Sequence, residues 1–138
     1  MYLLDTNIIS ELRKVRSDKA NKNVEAWANS VATNSLYLSV VTVLELETGI
    51  LQLERRDAIQ GTILRTWLEH QVLPAFSGRI LPVDIPVART CAAMHVPNPR
   101  PHRDTWITAT ALVHGMTVVT RNVKDFEYAG VQLLNPWE

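Results

Sequence analysis

The first twelve residues, Met1-Tyr-Leu-Leu-Asp-Thr-Asn-Ile-Ile-Ser-Glu-Leu12, hold the pattern that decides the fold. A short apolar run over residues 2–4 stops at Asp5. The next apolar residues recur at the spacing of one helix face: Ile8, Ile9 and Leu12. A short strand followed at once by a helix is typical of a parallel sheet, because the chain must cross over before it pairs again. We therefore predict a strand–helix unit at the start of the chain.

The same alternation of apolar patterns continues along the rest of the chain. It predicts further strands at residues 36–38, 79–83, 117–120 and 131–134. It predicts helices over residues 18–31, 43–53, 57–73, 87–94 and 106–113, with Val15 continuing the first helix. Alternating strands and helices favour an α/β fold, with a short parallel sheet of four to five strands covered by helices on both faces. The length of 138 residues fits one domain spanning residues 1–138.

Composition excludes several classes of protein. The 14 basic residues balance the 14 acidic ones, which excludes a highly basic nucleic-acid coat and an acidic disordered tail. A single cysteine, Cys91, excludes a fold framed by disulfides, and we expect it to be a buried small side chain. No apolar run approaches the roughly 20 residues that span a bilayer, and the first residues lack the basic start of a signal peptide. We therefore expect a cytoplasmic protein with no membrane partner.

Four carboxylates stand at the ends of predicted elements. Asp5 ends the first strand, and Asp125 follows the strand at residues 117–120. Glu45 and Asp104 are each predicted to open a helix. Ligand crevices of open parallel sheets lie outside the carboxyl ends of the strands. We therefore predict that these acids meet at one edge of the sheet.

Clustered carboxylates restrict the chemistry of such a site. Two of them about 4 Å apart repel by about 4 kcal/mol at an effective dielectric constant near 20. A hard divalent cation such as Mg²⁺ or Mn²⁺ removes that penalty, because it prefers oxygen ligands. Protein sites that hold Mg²⁺ with few carboxylates commonly leave room for a substrate phosphate. The sequence therefore favours metal-assisted hydrolysis of phosphodiester bonds.

Each acid also has an interpretation without catalysis. Asp5 and Asp125 would cap the turns that follow them, and Asp104 would cap a helix starting at Thr105. Thr42 and Glu45 match the spacing of a capping box. The alternative function is then a catalytically inactive α/β module that binds proteins. A haloacid-dehalogenase-like phosphatase is disfavoured, because it needs a second aspartate where this chain has asparagine, two residues after Asp5.

Four ordered sequence blocks and a C-terminal tripeptide carry a family pattern: Leu3-Leu-Asp-Thr-Asn7, Thr42-Val-Leu-Glu-Leu-Glu-Thr-Gly49, Asp104-Thr-Trp-Ile-Thr-Ala-Thr-Ala111, Val119-Thr-Arg-Asn-Val-Lys-Asp-Phe126 and Asn135-Pro-Trp137. Together they resemble the PIN-domain ribonucleases, in particular the VapC toxins and their FitB-like branch. The resemblance implies the three-layer PIN fold and a Mg²⁺- or Mn²⁺-dependent endoribonuclease. It also implies a toxin of a VapBC-type module, with RNA as substrate and a VapB-like antitoxin as partner. DNA would be reached only through that antitoxin.

The resemblance assigns roles to individual residues. Asp5, Glu45 and Asp104 correspond to the three principal acids, which would bind the metal and let it activate a water. The fourth acid, Asp125, would be a peripheral or water-mediated catalytic ligand. Supporting roles fall to the neighbouring polar side chains, Thr6, Asn7, Thr120 and Asn122. Asn122 stands where some members of the family have an aspartate, and it brings no charge to the site.

Two further expectations come from the residues themselves. Arg100 and Arg103 flank Asp104, so we expect them to contact substrate phosphates. The apolar stripe from Ile59 to Val72 is interpreted as core. Together with the helix at residues 43–53, its excess apolar face would also pack a homodimer or receive an antitoxin segment, in a higher complex.

Overall fold

The computed structural model describes all 138 residues and contains a five-stranded parallel sheet in the order β3-β2-β1-β4-β5. The strands are β1 (Tyr2–Leu4), β2 (Leu36–Ser39), β3 (Ile80–Leu81), β4 (Thr117–Val119) and β5 (Leu133–Leu134). The helices are α1 (Thr6–Leu12), α2 (Lys22–Ser30), α3 (Val40–Arg56), α4 (Ala58–Trp67), α5 (Leu73–Ala75), α6 (Ile85–Met94) and α7 (His102–His114). The α/β fold with a parallel sheet is therefore confirmed.

The central strand β1 fixes the edge at which the predicted acids meet. Tyr2 pairs with Leu36 of β2 on one side and with Thr117 of β4 on the other. The backbone N–H of Asp5 donates to the carbonyl of Val119, 2.9 Å away, and so extends the pairing beyond β1. Because all neighbours are parallel, the carboxyl ends of β1, β2 and β4 open on the same edge of the sheet.

Helices cover both faces of the sheet, as the alternation of side chains in β1 requires. Leu4 belongs to the larger buried cluster, with Leu38 of β2 and Val119 of β4. Leu3 points to the opposite face and joins a second cluster with Val118 of β4. Two apolar cores separated by one sheet give the predicted three layers. Cys91 is buried in a smaller third cluster, as predicted.

The apolar stripe on α4 corrects one prediction. Leu68 and Val72 are buried, but Ile59 and Ile63 are 75% and 52% exposed, so the N-terminal half of this stripe is not core. The reason is that α4 packs against α3 and turns Leu64 and Trp67, not Ile59 and Ile63, towards the larger buried cluster that also holds Leu68 and Val72. The first helix is also shorter than predicted, and Val15 lies exposed in a short 3₁₀ segment. No helix of the structure is long and apolar enough to cross a membrane.

A glycine sets the distance between α3 and α4 and gives a testable prediction. A Cβ atom on Gly61 would lie 2.7 Å from the Cα atom of Glu54, which is closer than real contacts. We expect Gly61→Ala to lose about 1–3 kcal/mol in the free energy of unfolding, because the helices must separate. The matched control is Gly49→Ala in α3, where the added atom meets nothing within 4 Å. That variant should gain about 0.5–1 kcal/mol from helix propensity. Equal stability of the two variants in urea denaturation would contradict the close approach.

Candidate active site

Three of the four predicted acids converge on one guanidinium group. Arg103, on the first turn of α7, forms ion pairs with Asp5, Glu45 and Asp104. The Nη1 atom of Arg103 lies 2.6 Å from Oδ1 of Asp104, and its Nε and Nη2 atoms reach Glu45 and Asp5. Acids from the β1–α1 junction, from α3 and from α7 thus surround one cation position. We call Asp5, Glu45 and Asp104 the acid cluster.

Asp5 is held in place by the turn that it caps. Its carboxylate accepts a hydrogen bond from the backbone N–H of Thr6 at 2.8 Å, as an N-cap of α1. The hydroxyl of Thr120 donates to the other carboxylate oxygen at 2.8 Å, and both residues are fully buried. Capping and membership of the cluster are compatible, because Oδ1 of Asp5 accepts from both the Thr6 N–H and the Arg103 guanidinium, while Oδ2 accepts from Thr120. The buried carboxylate of Asp5 therefore points into the cluster, where it contacts the guanidinium of Arg103.

Glu45 lies in the second turn of α3, so the prediction that it opens this helix is wrong. The helix begins at Val40, because the side chain of Ser39 accepts a hydrogen bond from the N–H of Val41 as its N-cap. The capping-box interpretation of Thr42 and Glu45 is wrong for the same reason. Glu45 instead accepts a hydrogen bond from the hydroxyl of Thr6 at 2.6 Å. The contact joins α3 to the start of α1.

Asp104 is the third residue of α7, which begins at His102 after Pro101. It does not cap a helix starting at Thr105, so that interpretation is wrong. Burial raises the pKa of the Asp104 carboxyl above its ordinary value of 3.8; Arg103 acts in the opposite direction, and Asp125 and Asp5 add to the rise. Ionised Asp104 is therefore stabilised less in the folded chain than in water.

The raised pKa of Asp104 predicts the behaviour of a neutral variant. The folded state holds the proton of Asp104 more tightly than the unfolded state does. The stability that this gives is fully present below the ordinary pKa of 3.8, and it is lost as the pH rises through the higher pKa of the folded state. We expect metal-free Asp104→Asn at pH 7 to melt a few degrees higher than the unsubstituted chain, corresponding to about 1 kcal/mol. The difference should shrink towards pH 4. A melting temperature that falls at pH 7 in calorimetry would contradict this prediction.

Arg103 supplies the countercharge of the acid cluster. Burial opposes its charge, but Asp5, Glu45 and Asp104 outweigh that effect and hold the pKa of Arg103 above its ordinary value. The guanidinium therefore stays charged at any physiological pH. Three carboxylates against one guanidinium leave the cluster with a net negative charge. A second cation, or a more highly charged one, has a physical reason to bind there.

The oxygen atoms of the acid cluster are suitable ligands for a hard divalent cation. In the structure, however, the carboxylates are spaced around the guanidinium of Arg103. Carboxylate and hydroxyl oxygens are the ligands that Mg²⁺ and Mn²⁺ prefer. In the structure, no three side chains among histidine, cysteine, aspartate and glutamate converge closely enough to hold a metal ion. The guanidinium of Arg103 lies between the carboxylates and keeps them apart. A metal ion would be held by the same three carboxylates after Arg103 has moved.

The remaining predicted site residues lie around the cluster or away from it. Asp125 is exposed and makes no hydrogen bond through its carboxylate, although it lies close enough to raise the pKa of Asp104. Asn122 is exposed, and its backbone N–H donates to the Thr120 hydroxyl at 3.0 Å. Arg100 forms no ion pair with the acids, and its guanidinium carbon lies 3.9 Å from the ring centroid of Tyr128. A phosphate contact by Arg100 stays a prediction.

Two clefts meet at the acid cluster. The polar cleft has a volume of about 460 Å³ and is lined by Thr6, Asn7, Ser10, Glu11, Lys14, Glu45, Arg103, Arg121, Asn122 and Trp137. The α3–α7 groove has a volume of about 480 Å³ and is lined by Val41, Leu44, Glu45, Thr48, Gly49, Gln52, Arg103 and Trp106. Glu45 and Arg103 line both clefts. An extended chain that lies in both would therefore pass over Glu45 and Arg103.

The polar cleft also contains an arginine and a tryptophan to which the sequence pattern alone assigned no role. Arg121 and Trp137 lie together there, with the guanidinium carbon 5.3 Å from the ring centroid. Both belong to sequence segments that carry the family resemblance. The sequence position of Arg121, just beyond the carboxyl end of β4, was the one signal that could have placed it near the site. The approach of the C-terminal tryptophan to it depends on tertiary structure.

A parallel sheet with clustered carboxylates at its carboxyl edge and helices on both faces defines an α/β domain of the PIN type. The family model described as "PIN domain" matches residues 2–131. The chain belongs to the PIN domain family, which confirms the resemblance found in the sequence.

Individual relatives agree with this assignment over the full length. The chain is 40% identical to VapC ribonuclease Y4jK of Sinorhizobium fredii, over 100% of this chain and 99% of the relative. It is also 40% identical to toxin FitB of Neisseria gonorrhoeae, over 99% of each. The crystal structure of FitAcB from Neisseria gonorrhoeae matches with a TM-score of 0.87 at 39% identity, over 100% of this chain and 99% of that one. The structure of FitAB bound to an IR36 DNA fragment matches with a TM-score of 0.86 at 38% identity, over 100% and 96%.

Proposed function

We propose that the chain is a Mg²⁺- or Mn²⁺-dependent endoribonuclease and the toxin of a VapBC-type module. The observation that carries this proposal is the convergence of Asp5, Glu45 and Asp104 on one cation position where two clefts meet. The names of the relatives, a VapC ribonuclease and a toxin, support the same substrate class and role.

The residues of the cluster have distinct tasks in this proposal. Asp5 and Asp104 would hold the metal, and Glu45 would hold it or orient a water. The bound ion would lower the pKa of a water and offset charge on the phosphoryl oxygens. Thr120 holds the Asp5 carboxylate in its orientation, and Thr6 does the same for Glu45. Asp125 acts from the periphery, beside Asp104.

We propose that Arg103 takes two positions. In the metal-free chain it offsets part of the negative charge of the acid cluster. It is 35% exposed, so its side chain has a route towards the clefts that it lines. Once displaced, the guanidinium is next to the place where a scissile phosphate would lie, and arginine binds phosphate with two parallel hydrogen bonds. The predicted phosphate contact of Arg103 thus becomes a second state of the same side chain.

The proposed partners follow from the family and from exposed apolar side chains. We propose that a VapB-like antitoxin binds the chain and connects it to DNA; a relative of known structure, FitAB, is bound to a DNA fragment. Leu44 and Leu51 on α3 and Ile59 and Ile63 on α4 are all more than half exposed. A homodimer that covers these side chains removes apolar surface from water, and each antitoxin would add to a higher complex. The module would act in the cytoplasm.

Cleavage of RNA by the purified chain tests the proposal. We expect a labelled single-stranded RNA to be cut in Mg²⁺ or Mn²⁺ and to stay intact when a chelator is present. Sequencing of RNA ends after a pulse of expression in a bacterial host would identify the cleaved sites. Cleavage that continues unchanged in excess chelator would contradict the metal dependence. No cleavage with either metal would favour the alternative, an inactive protein-binding module.

A further inference from the structure

The polar cleft carries a cation and an aromatic ring that the proposed chemistry does not use. Arg121 is exposed and takes part in none of the ion pairs of the chain. Its guanidinium carbon lies 5.3 Å from the ring centroid of Trp137. Lys14 lines the same cleft, but it is paired with Glu11 at 3.3 Å. Arg121 is therefore the cation of this cleft that is free to bind an anion.

The backbone around this pair is fixed from two sides. The N–H of Arg121 donates to the side-chain oxygen of Asn7, and its carbonyl accepts from the side chain of Asn135, both at 3.4 Å. Asn135 also accepts a hydrogen bond from the N–H of Trp137 at 3.0 Å. The carbonyl of Trp137 accepts from Asn23 at 2.9 Å. Ordering these residues before a ligand arrives lowers the entropic cost of binding.

We propose that Arg121 and Trp137 form a nucleotide-binding subsite for single-stranded RNA next to the acid cluster. This inference rests on the proposed ribonuclease function. Arg121 would contact a backbone phosphate neighbouring the scissile one, and the indole ring of Trp137 would stack on a base. Single-stranded nucleic acids are bound in this way, by cations that follow the backbone and by aromatic rings that accept any base.

The two clefts differ in a way that supports this location. The α3–α7 groove shares Arg103 with the acid cluster but has no other basic side chain. The polar cleft adds Arg121, Lys14 and Glu11, and because Lys14 is paired with Glu11 the added charge is that of Arg121. Phosphates of a bound strand would therefore be attracted to the polar side. The subsite would let a chain with a net charge of zero bind RNA, because the positive charge is concentrated beside the acid cluster.

The test measures RNA binding without cleavage. The background is Asp104→Asn, which we expect to fold and to be inactive, and the probe is a labelled single-stranded RNA of about 12 nucleotides. Arg121→Gln should weaken binding about tenfold and lower the slope of log affinity against log salt concentration by about 0.7. Trp137→Leu, which keeps an apolar side chain against the core, should weaken binding between about fivefold and a hundredfold. The matched control is Arg89→Gln, an exposed arginine of α6 outside the polar cleft.

The possible results separate this inference from the function on which it rests. Weaker binding by both cleft variants, with Arg89→Gln unchanged, supports the subsite. Binding within twofold of the background for Arg121→Gln and Trp137→Leu overturns the subsite and leaves the ribonuclease proposal intact. A background protein that binds no RNA, together with an unsubstituted chain that cuts none, overturns both.

Discussion

Asp5→Asn should lower RNA cleavage by the purified chain by 100-fold or more. Residues that only support metal ligands already contribute on the order of 10- to 100-fold, so a direct ligand is expected to contribute at least as much. The variant keeps the shape of the side chain and its ability to cap α1, because asparagine is as good an N-cap as aspartate. The expected loss of cleavage activity is therefore caused by the loss of negative charge at the acid cluster. Expression in a bacterial host offers a second measurement, in which the unsubstituted chain arrests growth and Asp5→Asn does not.

A matched control separates charge at the site from charge at a helix cap. Asp84 caps α6, where its carboxylate accepts a hydrogen bond from the N–H of Val87, and it lines neither cleft. Asp84→Asn is the same chemical change in the same local role, and we expect it to retain cleavage and growth arrest. Full activity of Asp5→Asn, or equal losses in both variants, would contradict a catalytic role for Asp5.

Arg103→Gln should bind Mn²⁺ about tenfold more tightly than the unsubstituted chain. In the unsubstituted chain the metal competes with a guanidinium that is bound to all three acids, and a binding-competent state that is rarely populated weakens the apparent affinity. The same change should lower the melting temperature without metal, because the acids lose their countercharge. Titration calorimetry on RNA-free protein measures the first effect, and thermal denaturation with and without Mn²⁺ measures the second.

The chain contains its own control for this substitution. Arg65 also binds three carboxylates, those of Glu47 and Glu54 in α3 and of Glu69 in the turn after α4. Arg65→Gln removes an equivalent guanidinium from a more exposed group of acids, so it should change stability but not the affinity of the acid cluster for Mn²⁺. An Arg103→Gln variant whose Mn²⁺ affinity is unchanged or weaker would contradict competition between arginine and metal.

The sheet and the meeting of acids were predictable because they depend on short-range patterns. The strand β1 ends directly before Asp5, and β4 ends directly before Thr120. These two ends fix the edge of the sheet at which the acids meet. Helix starts were less predictable, because a cap depends on which hydroxyl reaches a free N–H. Ser39 has that position in α3, and Glu45 therefore lies one turn further into the helix than its sequence spacing indicates.

The role of Arg103 and the exposure of α4 were not predictable from local sequence. An arginine beside Asp104 fits a phosphate contact equally well, and only the convergence of three distant elements turns its guanidinium inwards. The spacing of Ile59 and Ile63 fits a buried helix face. Their exposure arises because α4 packs on α3 and turns Leu64 and Trp67 towards the core in their place. The orientation of Arg103 and the exposure of α4 both depend on tertiary contacts, which the periodicity of the sequence does not predict.

We propose that Asp5, Glu45 and Asp104 bind a divalent metal in the position that the Arg103 guanidinium otherwise holds. Anomalous scattering from crystals grown with Mn²⁺ is the decisive measurement. We expect a manganese peak in contact with the carboxylates of Asp5 and Asp104, with Glu45 beside it and the Arg103 guanidinium displaced. Crystals saturated with Mn²⁺ that show no peak there, with Arg103 still bound to all three acids, would rule out this metal site.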